Sequence, residues 1–102
     1  VDEARDMVRE SLSLLARHEL YVANFYLTRD QPRAAVGRLR RLLNVYEGSG
    51  IEPEALLLLG QVYLRMREVR DARRTFEELV ETFPESGFAE QARGYLERFR
   101  EG

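Results

Sequence analysis

A 34-residue pattern from Pro53 to Ser86 constrains the fold more than any other feature of this sequence. Small residues stand at Gly60 and Ala72, where two antiparallel helices would need room to cross. Pro84 would end the second helix, because proline lacks a backbone N–H and its ring clashes with the preceding turn. Bulky apolar residues recur at helical spacing between these points: Leu56, Leu59, Tyr63, Phe76 and Leu79. The pattern therefore predicts two antiparallel helices that bury one seam.

This spacing of small, apolar and proline residues is that of the tetratricopeptide (TPR) repeat. A weaker copy spans residues 16–49 at an offset of 37, and the three extra residues, 50–52, fall in the loop between repeats. We predict an all-α fold, a TPR-type α-α superhelix in a single domain over residues 1–102. Its predicted parts are a leading helix segment (1–15), two repeats (16–49 and 53–86) and a capping helix (87–102).

Capping signals place the remaining helix ends. Residues 2–30 contain neither Gly nor Pro, which predicts one long helix or two nearly collinear ones. Asp30 before Pro32 is the expected N-cap of the next helix, and Ser86 is the expected N-cap of the last one. Glu and Arg alternate at helical spacing along the chain, which predicts solvated faces with ion pairs one turn apart.

The composition argues against catalysis and against a metal site. The chain has no Cys and a single histidine, His18, whereas a metal site needs several converging ligands. No serine has a recognisable base nearby. We therefore expect no enzymatic activity and no cofactor. The net charge of −2 gives no general attraction for nucleic acid, so we expect no nucleic-acid partner.

Two surfaces are candidates for binding a protein partner. The first is basic: residues 29–41 hold five Arg and one Asp, a local net charge of +4, and we select Arg38, Arg40 and Arg41. An ordinary solvated face is the alternative there. The second is an apolar groove, open to a peptide or filled by residues 2–15 or an upstream helix. Its residues are Leu57, Gln61, Leu64 and Arg65.

Three stretches resemble the BamD (YfiO) family of TPR lipoproteins from the outer-membrane β-barrel assembly machine. The diagnostic one is Leu15 to Leu27, with its run His-Glu-Leu-Tyr-Val-Ala. Ala34 to Leu39 is similar to a second family segment. Phe83 to Ala92 has the family's form as well, but it is shared with periplasmic TPR proteins such as CpoB (YbgF).

The resemblance implies a periplasmic lipoprotein on the inner leaflet of the outer membrane, attached only through a lipid anchor upstream of this chain. This chain would be the C-terminal half, which in the family docks on the POTRA region of the barrel-forming subunit without catalysis. Within that interpretation, Arg38, Arg40 and Arg41 are the expected partner contacts. The alternative is a generic periplasmic or cytoplasmic TPR adaptor of another complex, CpoB-like or pilus-related.

Overall fold

The computed structural model describes residues 2–101, and all regular structure in that range is helical. The predicted all-α class is therefore confirmed. Contacts divide the chain into a first unit that ends at Glu52 and a second unit that begins at Pro53. The helices are α1 (Asp2–Thr28), α2 (Pro32–Val45), α3 (Glu52–Arg65), α4 (Val69–Thr82) and α5 (Gly87–Glu101).

The first unit is built on a pair of helices, α1 and α2. α1 is one continuous helix of 27 residues, which is the first of the two arrangements that the lack of Gly and Pro predicts. It buries Ala16, Leu20 and Ala23 on one side, and α2 buries Ala35, Leu39 and Leu42. The small alanines let the two helices approach closely, so that the leucines fill the seam between them.

The turn between α1 and α2 corrects one prediction, because Asp30 does not cap α2. Its φ is +58°, in the left-handed region, and the residue in the N-cap position is Gln31. The Asp30 N–H donates to the Leu27 carbonyl and the Gln31 N–H to the Tyr26 carbonyl, which closes α1 with a Schellman motif. Asp30 therefore belongs to the C-terminal cap of α1, although the sequence pattern indicates the N-cap of α2.

The second unit contains α4, α5 and all of α3 after its first residue. The predicted seam residues are buried: Leu56, Leu59, Tyr63, Phe76 and Leu79. The Phe76 ring lies parallel to the Tyr95 ring of α5, with centroids 4.6 Å apart. Gly60 faces the same phenylalanine so closely that a Cβ there would lie 2.3 Å from its Cε1. The prediction that Gly60 leaves room at the helix crossing is confirmed.

The 37-residue offset read from the sequence reappears in local structure. Arg67 repeats the positive φ of Asp30, at +63°, and the Glu68 N–H donates to the Tyr63 carbonyl as Gln31 does to Tyr26. Helix α4 also has the bounds of α2 moved by 37 residues. The last helix begins as predicted, because the Phe88 N–H donates to the Ser86 hydroxyl oxygen at 3.1 Å.

Candidate functional site

A buried carboxylate on α1 is paired with two arginines of α2. Glu19 is 4% exposed. Arg38 Nη1 donates to Glu19 Oε2 at 3.3 Å and to Oε1 at 3.5 Å, and Arg41 Nε donates to Oε1 at 3.3 Å. Three groups from two helices therefore form one ionic cluster within the first unit.

Helical spacing explains how this cluster is assembled. Arg38 and Arg41 are three residues apart, so their side chains leave the same face of α2. Glu19 lies on the face of α1 that buries Ala16, Leu20 and Ala23. A carboxylate in that position is expensive to bury unless donors compensate it. The two guanidinium groups supply those donors.

The cluster leaves a positive charge on an accessible face. The hydrogen bond to Glu19, together with the attraction between the two charges, raises the pKa of Arg38 above its ordinary value. One carboxylate neutralises only one of the two guanidinium groups. The side chains of Arg38 and Arg41 remain 39% and 55% exposed, and Arg40 beside them is exposed as well. All three predicted arginines are therefore accessible to a partner.

The structure places the predicted groove residues less favourably for binding. Leu57 is buried, so its side chain belongs to the core of the chain and offers no free apolar surface. Gln61 Nε2 donates to the Tyr95 hydroxyl oxygen of α5 at 3.1 Å. Leu64 is half-buried and Arg65 is exposed. Gln61 is half-buried as well, so Leu57 is the one residue of the four that the structure buries.

A second buried carboxylate organises the loop before α3. Glu52 Oε2 accepts from the Gly48 N–H at 2.7 Å, and Oε1 accepts from the Gly50 N–H at 2.8 Å and from the Ser49 hydroxyl at 3.1 Å. The Ser13 hydroxyl of α1 donates to the Ser49 carbonyl. Burial by itself would raise the pKa of Glu52, but the donors on this loop and on the Glu52 backbone hold that pKa below its ordinary value.

Sequence reasoning missed both carboxylates, because it treated the glutamates of this chain as solvated. For Glu19, a signal was present in the resemblance itself. The run His-Glu-Leu-Tyr-Val-Ala places this glutamate three residues after Ala16 and four before Ala23, both of which are fully buried. A charged residue on the core face of an amphipathic helix needs a partner from the facing helix.

Residues 2–101 contain no group of three His, Asp or Glu side chains placed to hold a metal ion. Among the helices of that range, none combines the length and the apolarity needed to cross a membrane.

Comparison with known proteins gives two family matches. Residues 1–73 match the sequence model of YfiO, described as an outer membrane lipoprotein, and residues 53–96 match a tetratricopeptide repeat model. No curated protein and no solved structure matched the chain. The two families typically comprise non-catalytic protein-interaction scaffolds, and the second match confirms the TPR-type fold. Because the first match covers well over half of its residues, this chain belongs to the YfiO (BamD-like) family of outer membrane lipoproteins.

Proposed function

We propose that this chain is a non-catalytic docking module of the machinery that assembles outer-membrane β-barrels. In this proposal the basic face of α2, formed by Arg38, Arg40 and Arg41, binds an acidic surface on the POTRA region of the barrel-forming subunit. A lipid anchor elsewhere in the parent protein would hold the module at the periplasmic face of the outer membrane. The family match supports the setting, since it identifies an outer membrane lipoprotein.

The observation that carries the proposal is that Glu19 holds two accessible guanidinium groups in place. An arginine that is already held loses less side-chain entropy when a partner binds. The planar fork of its N–H groups also matches a carboxylate, which makes arginine well suited to acidic partners. The Glu19 cluster thus presents an ordered basic face before any partner arrives.

The position of the face in the chain supports the same partner class. Glu19, Arg38 and Arg41 all lie within residues 1–73, the part that matches the YfiO family. Glu19 also lies inside the run that carried the resemblance in the sequence. The candidate docking face therefore lies within the family-like part of the molecule.

A second candidate function is that of a general TPR adaptor that binds a peptide beside α3. The match of residues 53–96 to a tetratricopeptide repeat favours it. The exposed Arg65 and the half-buried Leu64 would supply its contacts, next to Leu57 and Gln61. In this case the basic face of α2 would be a solvated surface with no part in binding.

The test measures binding of the chain to the purified POTRA domains of its own organism's barrel-forming subunit, at low and moderate salt. The test variant combines Arg38→Gln, Arg40→Gln, Arg41→Gln and Glu19→Gln, so that no buried carboxylate loses its partners. The control variant, Arg70→Gln with Arg74→Gln, removes the same net charge of two from exposed positions on α4.

We expect the wild-type chain and the control variant to bind in a salt-sensitive manner, and the test variant to bind at least about tenfold more weakly. Helical circular dichroism would establish that each variant is folded. Equal loss of binding in both variants would mean that only general charge matters and would contradict the proposed face. Absence of binding by a folded wild-type chain would reject POTRA docking and favour the peptide-adaptor function.

A further inference from the structure

One side of α1 carries a long apolar stripe that the rest of the chain leaves exposed. Most of the stripe lies opposite the side that buries Ala16, Leu20 and Ala23, and Val8 and Leu15 lie along one edge of the stripe. Its exposure ranges from 44% for Phe25 to 71% for Leu14 and Tyr21. The exposed large apolar residues on this helix are Met7, Val8, Leu14, Leu15, Tyr21 and Phe25. A stripe of this extent on one helix is the kind of surface that a partner covers.

The spacing of the stripe is that of a coiled-coil seam. Met7, Leu14 and Tyr21 are seven residues apart, and Ser11, His18 and Phe25 form a second series of the same period, four residues later. Alternating steps of four and three residues keep one face of a helix in contact with a facing helix along its length. Val8 and Leu15 widen the seam along one edge. Glu10 and Arg17 lie along the other edge.

We propose that the segment of this stripe from Met7 to His18 binds the same segment of a second copy of the chain, with the two helices antiparallel. In the register that we assign, Leu14 lies over Ser11 of the second copy, and Met7 lies over His18 of the second copy. Val8 then meets Leu15 of the second copy along the apolar edge. Because the dimer would have two-fold symmetry, each of these contacts occurs twice.

Charge complementarity selects this register. It brings Glu10 beside Arg17 of the second copy, and symmetry repeats the pair, so that two opposite-charge pairs flank the seam. Moving the helices by one heptad would instead place Arg17 next to Arg17 of the second copy in one direction, or Glu10 next to Glu10 in the other, and both are repulsive. A parallel arrangement would set Glu10 against Leu15 of the second copy and Arg17 against Val22 of the second copy, so that neither charge would have a partner.

The primary test is the mass of the 102-residue chain in solution, measured over a range of concentrations by sedimentation or by light scattering. We expect dimers at high concentration, with twice the chain mass of 11.9 kDa. Leu14→Glu should weaken dimerisation at least about a hundredfold, because it places a charge at the centre of the seam twice. Leu14 is 71% exposed in the chain, so the variant should remain folded.

Val45→Glu is the matched control. Val45 is also a largely exposed apolar residue, but it lies on α2 and outside the stripe, so the dimer should persist. The register is tested by charge reversal: Glu10→Arg and Arg17→Glu should each weaken the dimer, and the two changes combined in one chain should restore it.

A wild-type chain that stays monomeric at its highest soluble concentration would overturn the proposal and leave the stripe to a different protein. Equal effects of Leu14→Glu and Val45→Glu would also overturn it. Failure of the double reversal to restore association would reject the assigned register. Because none of these variants changes the basic face of α2, the result is independent of POTRA binding.

Discussion

In the second unit the helices meet through stacked aromatic rings, whereas in the first unit two carboxylates are buried among hydrogen-bond donors. Phe76 lies against Tyr95 in the second unit, and Gly60 leaves the space for its ring. In the first unit, Glu19 accepts from two arginines and Glu52 accepts from the loop before α3. The two regions share a repeat pattern but differ in the chemistry that stabilises them.

The difference shows how one repeat tolerates two kinds of interior. At the offset of 37 residues, Ala23 stands where the second unit has Gly60, and Leu39 stands where it has Phe76. A smaller residue on one helix is thus matched by a larger one on the next, so close packing is kept in both units. The first unit also contains the buried Glu19 carboxylate with its two partly exposed arginines and the hydrogen bonds of the Glu52 loop.

The largest expected effect tests the aromatic interior. Phe76→Ala should reduce the free energy of unfolding by about 3–5 kcal/mol, because it leaves a cavity beside Tyr95. Gly60→Ala should cost about 2–3 kcal/mol in the wild-type chain, since the new Cβ would overlap the Phe76 ring. The same change should cost almost nothing once Phe76 is alanine. A double-mutant cycle measured by urea unfolding would give this coupling.

Gly94→Ala is the control for this cycle. Gly94 lies in α5, and a Cβ there would meet nothing within 4 Å. Alanine should therefore stabilise the chain by about 0.5–1 kcal/mol through its better helix propensity. If Gly60→Ala were equally mild in the wild-type chain, close packing against Phe76 would not determine the identity of this residue.

The next effect tests the loop carboxylate of the first unit. Glu52→Gln should cost about 1–2 kcal/mol near neutral pH, because an amide nitrogen would replace one acceptor oxygen among the N–H donors of the loop. Since the pKa of Glu52 is lowered in the folded state, the unfolded chain takes up this proton first as the pH falls. The advantage of wild type over Glu52→Gln should therefore be full above the ordinary pKa of 4.5 and disappear below the lowered one.

Urea unfolding of both proteins at several pH values between neutral and strongly acidic would check this prediction. Glu81→Gln is a suitable control, since Glu81 is exposed on α4 and the change should alter stability by less than about 0.5 kcal/mol. A difference between wild type and Glu52→Gln that stayed constant down to low pH would contradict the stabilising role of the ionised carboxylate.

The same contrast explains what the sequence could and could not predict. The interior of the second unit is apolar and periodic, so Leu56, Tyr63 and Phe76 were identified as buried from spacing alone. Glu19 and Glu52 have the same chemistry as the exposed glutamates, and the residue type alone does not reveal their donors. Those of Glu52 lie on the loop immediately before it, whereas those of Glu19 come from another helix. Arg38 and Arg41 are 19 and 22 residues from Glu19 in the chain, so no local pattern connects them. The prediction that Asp30 caps α2 was wrong for a related reason. The end of α1 and the start of α2 are adjacent in the chain, and Asp30 takes part in the cap of α1.

The smallest expected effect concerns Glu19, whose partners are partly exposed. Glu19→Gln should reduce the free energy of unfolding by about 1 kcal/mol, less than a fully enclosed ion pair would lose, since water screens both guanidinium groups. Replacing Arg38 and Arg41 together by glutamine should be more damaging, because a buried carboxylate would remain without cationic partners. Adding Glu19→Gln to that double variant should then recover stability rather than lose more. Urea unfolding of the four proteins forms the cycle, and additive losses would mean that Glu19 does not hold the two arginines. In that case the basic face would lack the ordering on which the docking proposal depends.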